Sequence, residues 1–225
     1  MLLRIFLCLG ILWPRWALAE PEPAARWQRF FSDARLQAVE QQYGAAGRQR
    51  VLQLRRWLTT ETQQSRSVQA QLQRTNSYFN QLTFVSDAEH WQRSDYWATP
   101  LEMVASGGGD CEDFTIAKYF ALRAIGIEAE RLRLMYVKAV TLNQPHMVLL
   151  YLASKDAMPL VLDNLQDQVQ TGAERPDLVP VYSFNAEGLW RARAFDQGVQ
   201  LKAGDSGVDL WGDLLRRMLQ EEAQG

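Results

Sequence analysis

The sequence predicts an α+β fold: helices first, then a helix that carries a cysteine, then an antiparallel sheet. Three observations carry this. Apolar residues recur at helical spacing through residues 26–82. A further stripe with the same spacing starts at Cys111, directly behind three glycines. From Leu132 onward, short apolar runs are separated by turn residues, the pattern of strands.

The elements follow in order. Leu36, Val39 and Tyr43 form one apolar stripe, which Gly44 breaks. Val51, Leu54 and Leu58 form a second. Val68, Leu72, Phe79 and Leu82 form a third, opposite a Gln-rich face that reads as solvated. Residues 84–109 read as irregular and aromatic, with Trp91, Tyr96 and Trp97 among Asp87, Asp95 and Pro100. Gly107, Gly108 and Gly109 end this stretch, and such a run lets the backbone pass close to a substrate. The next helix begins at Asp110 or Cys111. Phe114, Ala117, Ala121, Leu122 and Ile125 line one face of it, and Gly126 is its natural stop. Strands are expected at 132–137, 146–152, 160–164, 179–184 and 189–195. A last amphipathic helix over 208–221 has Leu210, Leu214 and Met218 in register.

Residues 1–19 read as a secretory signal. Arg4 gives the positive start and Ile5 to Trp13 a short apolar run. Ala17-Leu18-Ala19 is an A-x-A cleavage site before Glu20. The run is too short to span a bilayer. A single exported domain over 20–225 is expected, with a helical part (26–82) and a core (84–195), and with no membrane insertion after cleavage. Hydrophobic residues make up 47% of the 225 and charged residues 22%, which excludes a largely disordered chain. A net charge of −2 gives no global attraction for nucleic acid. Two cysteines and two histidines exclude a disulfide framework, a four-cysteine zinc site and a His-rich metal site.

Signal cleavage removes Cys8 and leaves Cys111 as a lone thiol in an oxidising compartment. It is an intermolecular disulfide partner, a buried small hydrophobe or a nucleophile. Its place at a helix start is the signal for a nucleophile, because unpaired N–H groups and the helix dipole support a thiolate, and the buried inert thiol stays open beside it. A nucleophilic cysteine needs a base, and His90 and His146 are the candidates. His146 opens an apolar strand, and the following strand ends at Asp163. A turn at Ser154-Lys155 with Ala153 facing Asp156 puts His146 directly opposite Asp163, both side chains on one face. There the carboxylate orients the imidazole. His90 has no such partner and reads as a surface or packing residue. Asp110, Glu112 and Asp113 flank the thiol and oppose its ionisation. They are either solvent-facing acids favoured at a helix start or oxygen donors for a divalent cation such as Ca²⁺.

Gly109-Asp110-Cys111-Glu112-Asp113, Ile116-Ala117-Lys118-Tyr119, Pro145-His146-Met147-Val148-Leu149 and Leu162-Asp163-Asn164 form an ordered set of motifs, with Asp95-Tyr96-Trp97-Ala98-Thr99-Pro100 upstream. The set resembles the bacterial transglutaminase-like cysteine proteinases of the LapG-type periplasmic class. The resemblance covers about residues 75–195. It implies a papain-like, transglutaminase-like fold, with the cysteine on a helix N-terminus packed on an antiparallel β-sheet that carries His and Asp. It implies Cys111 as nucleophile, His146 as base and acid, and Asp163 as its orienting partner. Calcium dependence is implied too, with Asp110 and Glu112 at acidic metal positions and Asp113 as a further ligand. The implied substrate is a LapA-type adhesin cut near its N-terminus at a di-alanine site. A LapD-type inner-membrane receptor for cyclic di-GMP is the implied partner that sequesters the protease. The Cys111 N–H and the Trp97 indole N–H are the candidate oxyanion donors. The same triad would also suit a transglutaminase, an amidase or a peptidoglycan peptidase. A non-catalytic calcium-binding module is the remaining alternative.

Overall fold

The computed structural model describes residues 27, 29–154, 156–186, 188–192, 194–195, 198–204 and 206–224. The expected signal sequence with its expected cleavage site, and Cys8, lie outside them. Helix α1 (Asp33–Gln63) starts where the Ser32 hydroxyl accepts a hydrogen bond from the Arg35 N–H at 3.1 Å. Gly44 sits at φ 71° and kinks the helix, as its place between two apolar stripes foretold. Leu36 and Val39 before the kink, and Val51, Leu54 and Leu58 after it, are all buried. Helix α2 (Val68–Phe79) buries Leu72 and Phe79. Buried Glu61 near the end of α1 ties the two together through Arg74 at 2.6 Å, with Arg66 at 3.0 Å.

The stretch expected to be irregular is built. It holds β1 (Thr83–Phe84), α3 (Asp87–His90), α4 (Pro100–Ser106) and β2 (Gly108–Gly109), with β1 and β2 parallel. Helix α4 has a start signal in its sequence. Thr99 caps it, Glu102 returns the bond to the Thr99 N–H, and Pro100 occupies the first turn. The glycines that follow are filled from within the protein. A Cβ on Gly108 would lie 2.3 Å from the Thr83 carbonyl, and one on Gly109 2.3 Å from the Asp113 carboxylate. These close approaches, rather than room for a substrate, explain the two glycines.

Helix α5 (Cys111–Ala124) packs on a seven-stranded sheet. The strands are β3 (Leu132–Ala139), β4 (Gln144–Tyr151), β5 (Leu160–Asp163), β6 (Gln166–Thr171), β7 (Leu178–Asn185), β8 (Gly188–Arg191) and β9 (Val199–Ala203). Their order is β6-β5-β4-β3-β7-β8-β9, with every neighbouring pair antiparallel. β6 and β9 are additions to the expected strands. Both are edge strands: β6 lacks apolar alternation, and β9 alternates Val199, Leu201 and Ala203 with polar residues but is exposed along its whole length. Helix α6 (Asp209–Ala223) buries Trp211, Leu214 and Met218, so Trp211 takes the place expected for Leu210.

The main core lies between the helices and one face of the sheet. A smaller cluster of Met135, Val137, Val148, Leu150 and Val161 covers the other face. The β4–β5 hairpin differs from the expected register by two residues, since Leu149 pairs with Leu162 and Tyr151 with Leu160. The reason is the connection. It runs from residue 152 to 159 and is no tight turn. A two-residue slip keeps every side chain on its face. His146 and Asp163 are therefore diagonal neighbours on a shared face, not directly opposed.

Candidate active site

Cys111 is the first residue of α5, half-buried and without a disulfide. Helix geometry leaves the N–H groups of this first turn without intrahelical acceptors. Thr115, one turn on, fastens the helix to β4: its hydroxyl donates to the Cys111 carbonyl at 2.8 Å and the Met147 carbonyl at 3.0 Å. Thr115 thus sets the start of the helix, and Cys111 with it, against the residue that follows His146.

His146 is 3% exposed and Asp163 1%. The imidazole Nε2 and Asp163 Oδ1 are 2.8 Å apart. Oδ1 also accepts the Leu165 N–H at 3.0 Å. Oδ2 accepts from Arg175 Nη2 at 2.7 Å. Burial would raise the Asp163 pKa. The hydrogen bond and charge of His146, with the Leu165 N–H and Arg175, outweigh it and hold the pKa at about 2. Asp163 is therefore an anion throughout the neutral range and a fixed acceptor for Nε2–H, which leaves Nδ1 to receive a proton.

The acids around the thiol act the other way. Glu112 Oε2 accepts from the Cys111 thiol at 3.0 Å. Burial, then the Glu112 and Asp110 charges, push the thiol pKa well up. Burial and Glu112 lift Asp110 to about 9, and burial with the Asp110 charge raises Asp113 well above the carboxylate range. Burial also raises Asp87. Four carboxylates in one place repel, and Glu112 and Asp110 burden the thiolate.

Their arrangement suits a cation. Oxygens of Asp87, Asp110 and Asp113 lie within 4.8 Å of one another, as do those of Asp87, Asp95 and Glu112. Asp87 Oδ1 and Asp110 Oδ1 are buried with no hydrogen-bond donor. Such oxygens need a counter-charge, and a hard donor set of this kind fits Ca²⁺. Asp113 differs. Its Oδ1 accepts the Ala98 N–H at 2.7 Å and its Oδ2 the Asp110 N–H at 3.3 Å, so it ties the 95–100 segment to α5. Asp87 and Asp95 join the cluster by folding. Only their acidity was visible in the sequence.

Two further expectations concern aromatic neighbours. Trp97 is buried at 5%, with its ring stacked on Phe184 at 5.8 Å and 19°. Its carbonyl accepts from Arg217 of α6. His90 packs edge-on to Trp91 and lies near the Asp87 charge. Arg175, which bonds Asp163, had no signal in the sequence. It follows a one-turn 3₁₀ helix (Gly172–Glu174) after β6.

A thiol at a helix N-terminus, beside a strand that presents a carboxylate-bonded imidazole, defines a papain-like cysteine protease of the transglutaminase-like kind. The chain belongs to the bacterial transglutaminase-like cysteine proteinases (BTLCP), whose family pattern matches residues 48–179. It is similar to solved structures of LapG from Legionella pneumophila. The calcium-bound form is 39% identical, with 81% of this chain and 97% of that one covered and a TM-score of 0.68. The EGTA-treated form is 39% identical, with 81% and 95% covered and a TM-score of 0.70. No curated protein sequence matches the chain.

Proposed function

We propose that this cysteine protease is a calcium-dependent periplasmic endopeptidase. In this reading it cuts the N-terminal region of a large LapA-type adhesin at a di-alanine site, which releases the adhesin and promotes biofilm dispersal. A LapD-type inner-membrane receptor for cyclic di-GMP would sequester it. The observation that carries the endopeptidase reading is Cys111 at a helix start that Thr115 fastens to Met147, the residue next to the carboxylate-bonded His146. Similarity to a calcium-bound LapG supports the metal and the substrate class. Among the described residues no helix is long and apolar enough to cross a membrane.

In the mechanism, His146 Nδ1 takes the proton of the Cys111 thiol, and Asp163 stabilises the imidazolium through Nε2. The sulfur attacks the scissile carbonyl carbon. The Cys111 N–H donates to the oxyanion, with the Trp97 indole N–H as the proposed second donor. His146 then gives its proton to the leaving amine, and the thioester remains. A water that loses its proton to His146 attacks the thioester, and the thiol leaves with that proton. Asp87, Asp110 and Glu112, with Asp95 and Asp113 at the margins, would hold Ca²⁺. Bound there, the cation would offset their charge, which otherwise opposes the thiolate.

The test mixes the mature protein with an adhesin N-terminal region in calcium. Cleavage that fails in Cys111→Ala and in EGTA is expected. No cleavage, or equal cleavage by Cys111→Ala, sinks the protease reading. Cleavage untouched by EGTA removes the calcium role. Incorporation of an added amine in place of cleavage would assign a transferase.

A further inference from the structure

Asp163 is held by more than its imidazole. Its Oδ1 has two donors, its Oδ2 has Arg175, and its main-chain carbonyl accepts Asn80 Nδ2 from α2 at 3.0 Å. Arg175 is itself held. Its Nε and Nη2 donate to the two oxygens of Asp177 at 3.0 and 2.7 Å. The guanidinium is 2% exposed and the Asp163 carboxylate is fully buried. A buried ion pair is a poor source of stability compared with apolar packing. This one ends on the atom opposite the imidazole contact, which points to a role beyond stability.

We propose that Arg175 is a positioning residue for His146 that acts through Asp163. Its fork is braced on Asp177, and its Nη2 anchors Oδ2 of Asp163 and favours the ionised carboxylate, so that Oδ1 stays turned to Nε2–H. This rests on the endopeptidase reading, because it gives His146 a reaction to be positioned for. The charged groups that face Asp163 are few. β4 brings His146, the chain between β6 and β7 brings Arg175 and Asp177, and α5 brings Lys118, while α2 brings only the Asn80 amide. Lys118 is fully buried and its pKa falls to about 7, so it is a weak substitute for a permanent cation. With Arg175 removed, one of the contacts that oppose burial is lost while His146 and the Leu165 N–H remain, and the Asp163 carboxyl moves up. Once protonated, it stops orienting the imidazole.

The experiment compares the mature wild type with Arg175→Gln and Arg175→Lys, all with calcium. The probe is a fluorogenic peptide that contains an Ala-Ala bond. For Arg175→Gln, kcat falls more than tenfold and the acid limb of kcat/KM moves up by at least one pH unit. Arg175→Lys returns the limb toward its wild-type position, because it restores charge without the fork. A second readout needs no substrate. Urea unfolding at pH 7 and pH 4 shows the stability gap between wild type and Arg175→Gln narrowing at pH 4, where protonation of Asp163 relieves the variant. A limb and a gap that both stay constant overturn the proposal and leave Arg175 as a packing residue. A wild type that cuts no peptide, with a gap that still narrows, sinks the endopeptidase reading while the hold on Asp163 stands.

Discussion

Asp163→Asn is the sharpest perturbation of this site, because it removes the carboxylate charge and one acceptor with almost no change in shape. Asp163 presents two oxygens to three donors: His146 Nε2–H and the Leu165 N–H at Oδ1, and Arg175 at Oδ2. An amide has one oxygen and one NH₂. With the oxygen toward His146, the NH₂ meets the Arg175 guanidinium. With the amide reversed, the NH₂ faces Nε2, which must give up its proton and accept. The imidazole proton then sits on Nδ1, where it cannot receive the thiol proton. Loss of the correct tautomer in a triad costs about 10⁴ in kcat, or roughly 5 kcal/mol of transition-state stabilisation.

Stability changes with a defined sign. The folded pKa of Asp163, about 2, lies below its ordinary value of 3.8. Its contribution is therefore fully present above about pH 4 and is lost as pH falls through 2. It amounts to about 2 kcal/mol at pH 7 and about half of that at pH 3. Arg175 keeps Asp177 as a partner, so the variant leaves no orphaned guanidinium. Active-site-titrated kinetics measure the first effect, and urea unfolding at pH 7 and pH 3 the second. A kcat within tenfold of wild type, or a stability gap that ignores pH, would refute the reasoning.

Two further predictions follow from the same environment. Asp87→Asn removes a carboxylate with an unpartnered buried oxygen. Titration calorimetry should show calcium affinity at least tenfold weaker, with a smaller calcium-induced rise in Tm; an unchanged affinity would take Asp87 out of the site. Lys118→Met concerns a wholly buried lysine whose pKa is lowered to about 7 by burial, against the Asp163 charge. The unfolded chain holds that proton up to about pH 10.5, so wild-type stability rises with pH above 7. Between pH 6.5 and 9 the wild type should gain about 2 kcal/mol relative to Lys118→Met, and parallel curves by chemical unfolding would contradict this.

The sequence by itself determined what depends on periodicity and local chemistry. The helical stripes, the break at Gly44, Cys111 at a helix start, and His146 and Asp163 on one face all follow from side-chain spacing. The shared face survived a register wrong by two residues because strand alternation has a period of two. Tertiary structure decided the rest. The register depended on an eight-residue connection in place of the tight turn read at Ser154-Lys155. Edge strands β6 and β9 escaped notice because backbone pairing, not burial, holds them. The glycines behind Cys111 answer to Thr83 and Asp113, residues whose approach only the folded chain creates. Arg175 reaches Asp163 across a strand and a turn, and Asp87 reaches Asp110 from another helix. Hydrophobic pattern is written locally because each side chain meets water or core on its own. Charge pairing at an active site is a property of distances between distant segments, and only chain closure sets those.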